Sequence, residues 1–116
     1  MNRKDERDYI GDIRNRILRI ETFLMGMTDE DYYRSLLHQD AVAHNFTIIG
    51  EAASRLSPAT RSKYAQVPWR EIIGFRNVIV HDYDGVEIRE VWKTFKNDLP
   101  VLKAVVELML AAPPTV

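Results

Sequence analysis

Apolar residues recur along this chain at steps of three and four, and no stretch sustains a step of two. That spacing puts them on one face of an α-helix and leaves no segment suited to a half-buried strand. Ile10, Ile13, Ile17, Ile20 and Leu24 form the first stripe, with Arg and Lys on the opposite side. It predicts a helix over 3–26, closed by Gly26 in the usual place for a C-terminal glycine. Thr28, followed by Asp29, Glu30 and Asp31, reads as an N-cap with acids in the first turn, opening a short helix of about seven residues. Val42, Phe46, Ile49, Ala53 and Leu56 mark the next helix, from Ser35 to Leu56. Gly50 lies inside that stripe. A glycine in mid-helix costs up to about 1 kcal/mol against alanine, so the close approach of another helix is expected there. Ser57-Pro58 is a cap followed by a first-turn proline, and it opens a short helix to Tyr64.

Pro68 and Trp69 begin a further helix whose apolar members are Trp69, Ile72, Ile73, Phe75, Ile79 and Val80, stopped by the turn pair Asp84-Gly85. The last stripe is Ile88, Trp92, Phe95, Leu99, Leu102, Val106 and Met109. Pro100 interrupts it, having no N–H to give the carbonyl four residues earlier. The unbroken phase argues for one kinked helix; Asn97 and Asp98 as caps argue for two. The kink is the preferred reading. The expected fold is all-α, an antiparallel bundle of roughly five or six helices in one domain over 1–116, with residues 111–116 frayed.

Composition narrows the function classes. The chain has 116 residues and no cysteine, so disulfides and thiolate metal sites are excluded. The start lacks the apolar run of a signal peptide, and no apolar run approaches the roughly 18 residues of a membrane span. A cytoplasmic protein is expected. Sixteen basic residues meet seventeen acidic ones, so nucleic-acid contact would need a local basic patch rather than a net charge.

Arg76, His81 and Tyr83 are polar where the pattern asks for burial. On an ideal helix Arg76 and Tyr83 share a face to within about 20° and stand roughly 10 Å apart, whereas His81 lies about 140° around from Arg76. Arg76 and His81 therefore meet only if the helix unwinds near His81 or if a second copy of the chain supplies one of them across a two-fold axis. The chemistry open to them is limited. No His, Asp and Glu have metal-ligand spacing, and no serine neighbours a convincing base. An arginine and a histidine suit metal-free phosphodiester cleavage. Histidine moves protons near neutrality, and arginine holds phosphate oxygens bidentately. RNA brings its own 2′-hydroxyl nucleophile; DNA does not. The plain alternative is that Arg76 and His81 satisfy helix-end carbonyls or pair with Asp82 and Asp84.

Arg76, four residues, His81, one residue and Tyr83 form the R-x-x-x-x-H-x-Y pattern. With Ile48-Ile49-Gly50-Glu51-Ala52, Val67-Pro68-Trp69, and Val91-Trp92 before Asp98-Leu99-Pro100, the chain resembles the HepT-like ribonucleases of the HEPN superfamily over roughly residues 6 to 110. The resemblance implies an all-helical two-fold dimer acting as a metal-independent ribonuclease toxin without a cofactor, its Arg and His lining a cleft between protomers. Arg76 and His81 would be the catalytic pair, with Asn77 a supporting group. The implied partner is an MntA-like nucleotidyltransferase antitoxin that transfers AMP from ATP to Tyr83. An adenylyl group there would bring a phosphate to the arginine and block RNA by its bulk. The competing reading is a docking module for the nucleotidyltransferase with feeble nuclease activity.

Other residues carry paired readings. Glu51 either orients Arg76 as a supporting carboxylate or is an ordinary paired helix glutamate. His38 and His44, about 120° apart on one helix, suit surface or core-edge positions better than co-ligation. Trp69 and Trp92 suit packing better than base stacking. Arg61, Lys63 and Arg70 grip phosphates or merely solubilise, and Asp82 either raises the His81 pKa or faces solvent.

Overall fold

A computed structural model describes residues 5–77 and 86–112. Their regular structure is entirely helical. α1 spans Glu6–Leu24, α2 Asp29–Tyr33, α3 Leu36–Ser54, α4 Pro58–Lys63, α5 Trp69–Gly74, α6 Val86–Asn97 and α7 Leu99–Ala111. A single 3₁₀ turn, Phe75–Asn77, continues α5.

α1 is the central rod because its isoleucine stripe has neighbours on two sides. Ile13, Ile17 and Ile20 are at most 1 % exposed, and each such side chain stabilises the fold by about 1.5–3 kcal/mol relative to exposure. α3 and α7 both run antiparallel to α1. At its start, Arg7 reaches the far end of α7, donating to the carbonyls of Leu110 at 2.9 Å and Ala112 at 3.0 Å. Further along, Arg14 pairs with Glu107, and Glu21 with Lys103 at 3.0 Å. On the other side Glu6 accepts from the Ser57 backbone N–H and, at 2.7 Å, from the Thr60 hydroxyl, so it caps α4 across the chain. Burial by itself would raise the Glu6 pKa; those bonds and the charge of Arg61 outweigh it and hold the carboxyl below its ordinary value of 4.5.

Local capping follows the expected signals. Gly26 has φ 78°, the left-handed turn that ends α1. Thr28 and Asp31 form a reciprocal capping box on α2, and Ser35 and Ser57 cap α3 and α4. Gln39 is buried and donates to the carbonyls of Tyr32 at 2.9 Å and Tyr33 at 3.1 Å, fixing the corner between α2 and α3.

The last two helices meet at one residue. Asp98 keeps right-handed helical angles, φ −99° and ψ −35°, and makes no side-chain cap. Its N–H donates to Thr94 at 2.8 Å, and its carbonyl accepts from Leu102 at 3.1 Å. The ladder thus passes through the break, as expected of a proline kink. With α6 and α7 taken as one kinked rod, the described helices fall within the number the pattern predicts. α6 packs on α2, where Trp92 stacks on Tyr32 with ring centroids 4.7 Å apart and its indole N–H donates to Asp29.

One expectation needs correction. The helix beginning at Trp69 was expected to continue through Arg76 to the Asp84-Gly85 turn. It ends at Gly74 and tightens into the 3₁₀ turn. The cause is tertiary: the backbone there is drawn against α3, and a 3₁₀ turn is the common way to tighten the last turn of a helix.

Candidate active site

The position of Arg76 is set by two successive contacts with α3. Phe75 is buried and stacks on Phe46 with centroids 4.6 Å apart and planes 13° from parallel. One helical turn beyond Phe46 comes Gly50. A Cβ at that glycine would stand 2.4 Å from the Arg76 backbone N, 2.9 Å from the Ile73 carbonyl oxygen and 3.0 Å from that of Ile72. No side chain fits such a gap. Phe46 and Gly50 thus form a socket and a notch on one face of α3. The aromatic ring fills the first, and the backbone of the turn lies in the second.

This arrangement turns Phe75 inward and leaves Arg76 and Asn77 exposed. Among the described residues the Arg76 guanidinium has neither an ion pair nor a hydrogen bond. An exposed guanidinium whose backbone is held at a fixed point is suited to receive phosphate oxygens.

His81 and Tyr83, like Asp82, lie outside the described residues, so the three motif positions are joined here only by sequence. The structure does revise the premise of the ideal-helix geometry. Arg76 stands on a 3₁₀ turn, so an angle counted along an α-helix from Arg76 to His81 does not apply.

Glu51 follows the notch residue, is exposed, and pairs with Arg55 one turn on at 3.0 Å. Trp69 is packed in the core with its indole N–H on the Tyr64 carbonyl at 3.0 Å, and Trp92 is buried on Tyr32. Neither tryptophan is free to stack on a base. His38 is half-buried with Nδ1 2.6 Å from the Ser35 hydroxyl, and His44 is exposed. Arg70 and Lys63 are exposed, and Lys63 stands 5.7 Å from the Tyr64 ring centroid. Among the described residues no three His, Asp or Glu side chains are grouped to hold a metal ion, and no helix is long and apolar enough to cross a membrane.

Sequence reasoning identified Gly50 as a point of close approach but not what approaches it. The aromatic pair Phe46–Phe75 was likewise read as two separate core residues. The available signal was the one-turn spacing of Phe46 and Gly50, which prepares adjacent pockets for two consecutive residues of another segment.

Comparison with known proteins supplies the family. No solved structure matches the chain. A "Probable ribonuclease HepT" of Thermococcus cleftensis is 36 % identical over 101 residues, which cover 87 % of this chain and 92 % of that protein. A Methanocaldococcus jannaschii protein named "Gamma-glutamylcyclotransferase and putative RNase" is 37 % identical over 87 % of this chain, which spans only 46 % of that longer protein. A second protein of that organism, named a "Putative RNase", is 29 % identical over 94 % of this chain and 100 % of its own length. The family model described as "Ribonuclease HepT-like" matches residues 13–109, a span that holds the α3 notch, the Arg76 turn and the α6–α7 kink. On that match and the all-helical fold beneath it, the chain belongs to the HepT-like ribonuclease family.

Proposed function

We propose that this protein is a metal-independent RNA endonuclease that works as a two-fold dimer and serves as the toxin of a type VII-like toxin–antitoxin pair. The observation that carries the reading is Arg76. Its backbone is wedged against Gly50, its neighbour is anchored on Phe46, and its charged head is left without a partner among the described residues. Membership of a family described as ribonuclease supports the same reading.

The chemistry follows from the residue types. A histidine takes the proton of the ribose 2′-hydroxyl, the 2′-oxygen attacks phosphorus, and the bond to the 5′-oxygen breaks. The leaving oxygen takes a proton, giving a 2′,3′-cyclic phosphate and a 5′-hydroxyl end. Arg76 holds the phosphate oxygens as charge builds on them. A dimer placing two copies of His81 and Arg76 in one cleft would supply one histidine as base and the other as acid. Asn77, exposed beside Arg76, is the supporting group in this scheme, whereas Glu51 is engaged by Arg55.

Regulation is assigned to Tyr83. An MntA-like nucleotidyltransferase antitoxin transfers AMP from ATP to its hydroxyl with release of pyrophosphate. The added phosphate then competes for the arginine, and the adenosine fills the space of the substrate.

Purified, unmodified protein incubated with RNA in EDTA tests the central step. Cleavage by the wild type that is lost in both Arg76→Ala and His81→Ala is the expected result. Equal activity in all three would refute the assignment. No cleavage by any of them would leave a docking module that carries a modified tyrosine.

A further inference from the structure

α6 carries a row of three cations on one face. Arg89, Lys93 and Lys96 are all exposed. Spaced by four and then three residues, they fall within an arc of about 60° on a helix. The positions of the two acids of α6, Glu87 and Glu90, fall outside that arc. Four basic residues elsewhere are matched with carboxylates: Arg14 with Glu107, Arg34 with Glu30, Arg55 with Glu51 and Lys103 with Glu21. None of the three on α6 has an acidic partner among the described residues.

Two of them rest on aromatic rings instead. The Arg89 guanidinium stands 4.6 Å from the Tyr33 ring centroid, and the Lys96 ammonium 5.2 Å from that of Trp92. A ring face orients a cation without neutralising it. The result is a row of positive charges, two of them oriented by rings and none ion-paired among the described residues, on a protein whose formal net charge is −1. Beside Lys96 the kink opens a shallow hollow lined by Phe95, Leu99, Pro100 and Glu21. Phe95 is half-buried there and lies 5.4 Å from the Trp92 ring. Cations tracking a backbone beside an accessible aromatic ring are the two parts of a single-strand binding surface. Only eight residues separate Asn77 from Val86 in the sequence, so covalent reach alone keeps the start of α6 within about 30 Å of the Arg76 turn.

We infer that the Arg89–Lys93–Lys96 face of α6 holds the sugar–phosphate backbone of single-stranded RNA, with Phe95 receiving one base in the adjoining hollow. This rests on the RNA-cleaving reading of the same chain, and it makes α6 a positioning surface apart from the reacting groups.

The test uses the full chain carrying His81→Ala, so that RNA is bound without being cut. Binding of a fluorescein-labelled single-stranded oligoribonucleotide is followed by anisotropy over a range of salt concentrations. In that background, Arg89→Gln/Lys93→Gln/Lys96→Gln is compared with Arg14→Gln/Arg19→Gln/Lys103→Gln, which removes the same charge from α1 and α7. The α6 variant is expected to bind at least about tenfold more weakly, and its log–log salt slope to fall by about 2, as for three lost phosphate contacts on a single strand. The α1/α7 variant should retain most of the affinity. Unchanged binding in the α6 variant, equal loss in both variants, or no RNA binding by the parent would overturn the inference. So would intact RNA binding with loss of antitoxin binding, which would make the row a protein-docking surface. The two readings fail separately. With His81 present, cleavage at full rate and unchanged KM in the α6 variant sinks the inference alone. RNA binding that depends on α6, in a chain that cuts nothing, sinks the nuclease alone.

Discussion

Gly50 of α3 lies so close beneath Arg76 that a methyl group on the glycine would stand 2.4 Å from the arginine's backbone nitrogen. Arg76 is thus held by its main chain, and its side chain is exposed, with no ion pair or hydrogen bond among the described residues.

Gly50→Ala should therefore act on stability and activity together. Alanine gains up to about 1 kcal/mol of helix propensity, but overpacking typically costs about 1–3 kcal/mol. All three short contacts are to backbone atoms, which yield least, so net destabilisation is expected in urea unfolding. RNA cleavage should fall further than the lost stability explains, because the Arg76 turn must lift away from α3. A variant as stable and active as the wild type would show that the turn is not seated in the notch.

Phe75→Ala should separate the anchor from the charge it positions. Removing a buried phenylalanine typically costs about 3–5 kcal/mol, and the stack on Phe46 at 4.6 Å is lost with it. Phe75→Leu keeps most of the volume and should cost much less. If Phe75 positions Arg76, the leucine variant should remain folded by circular dichroism yet cut RNA more slowly. Its melting temperature reports the packing and its kcat the positioning.

Much of this was legible in the sequence. The α1 stripe, the caps at Thr28, Ser35 and Ser57, and the glycine end of α1 depend on neighbours a few residues away, and such signals survive in one dimension. The kink at Pro100 was legible for the same reason. The end of α5 was not. Phe75 and Arg76 continue a plausible helical pattern, and only their contact with Phe46 and Gly50, some 26 to 29 residues earlier, tightens the turn. Arg7 and Glu6 were not singled out in the sequence, though each caps a helix distant along the chain. At the site, residue types alone pointed to Arg76, but its freedom from any partner among the described residues is a three-dimensional fact. The cations of α6 were unremarked because a balanced composition hides a row whose acids lie on another face.

Arg7→Ala should loosen the end of α7. The guanidinium donates to the carbonyls of Leu110 and Ala112, which no helical N–H can reach. Hydrogen bonds to charged groups contribute about 1.5–3 kcal/mol each when well formed, and partial exposure places the expected loss near the lower figure. Amide exchange should quicken in the last turn of α7 and leave α3 unaffected. Uniform protection along α7 would show that the cap contributes nothing.

Acid should weaken the junction of α1 and α4 through Glu6. Its carboxyl is held below the ordinary 4.5 in the folded chain. The unfolded state therefore binds the proton more readily. The stabilisation is fully present above the unfolded pKa and is lost as pH falls through the folded one. Glu6→Gln should be less stable than the wild type near neutrality, and the difference should shrink in acid. Urea midpoints measured from neutral pH down through the carboxylate range give the comparison, and a constant difference at every pH would contradict it.

Tyr83→Phe should keep RNA cleavage and lose its control. Phenylalanine has no hydroxyl to accept AMP, so active antitoxin and ATP should silence the wild type and leave the variant cutting. A mass increase of the wild type alone by one or more adenylyl groups would accompany this. A variant still silenced by catalytically active antitoxin would mean that binding, not modification, is the switch.

The chemistry of the cut ends bears most directly on the nuclease assignment. A defined RNA is incubated with purified wild-type protein in EDTA, and the products are identified by mass spectrometry beside those from Arg76→Ala and His81→Ala. The expected result is 2′,3′-cyclic phosphate and 5′-hydroxyl ends from the wild type, none from either variant, and no cutting of DNA of the same sequence. Products with 5′-phosphate ends, cleavage of the DNA, or the same products from all three proteins would contradict catalysis by Arg76 and His81 through the RNA's own 2′-hydroxyl.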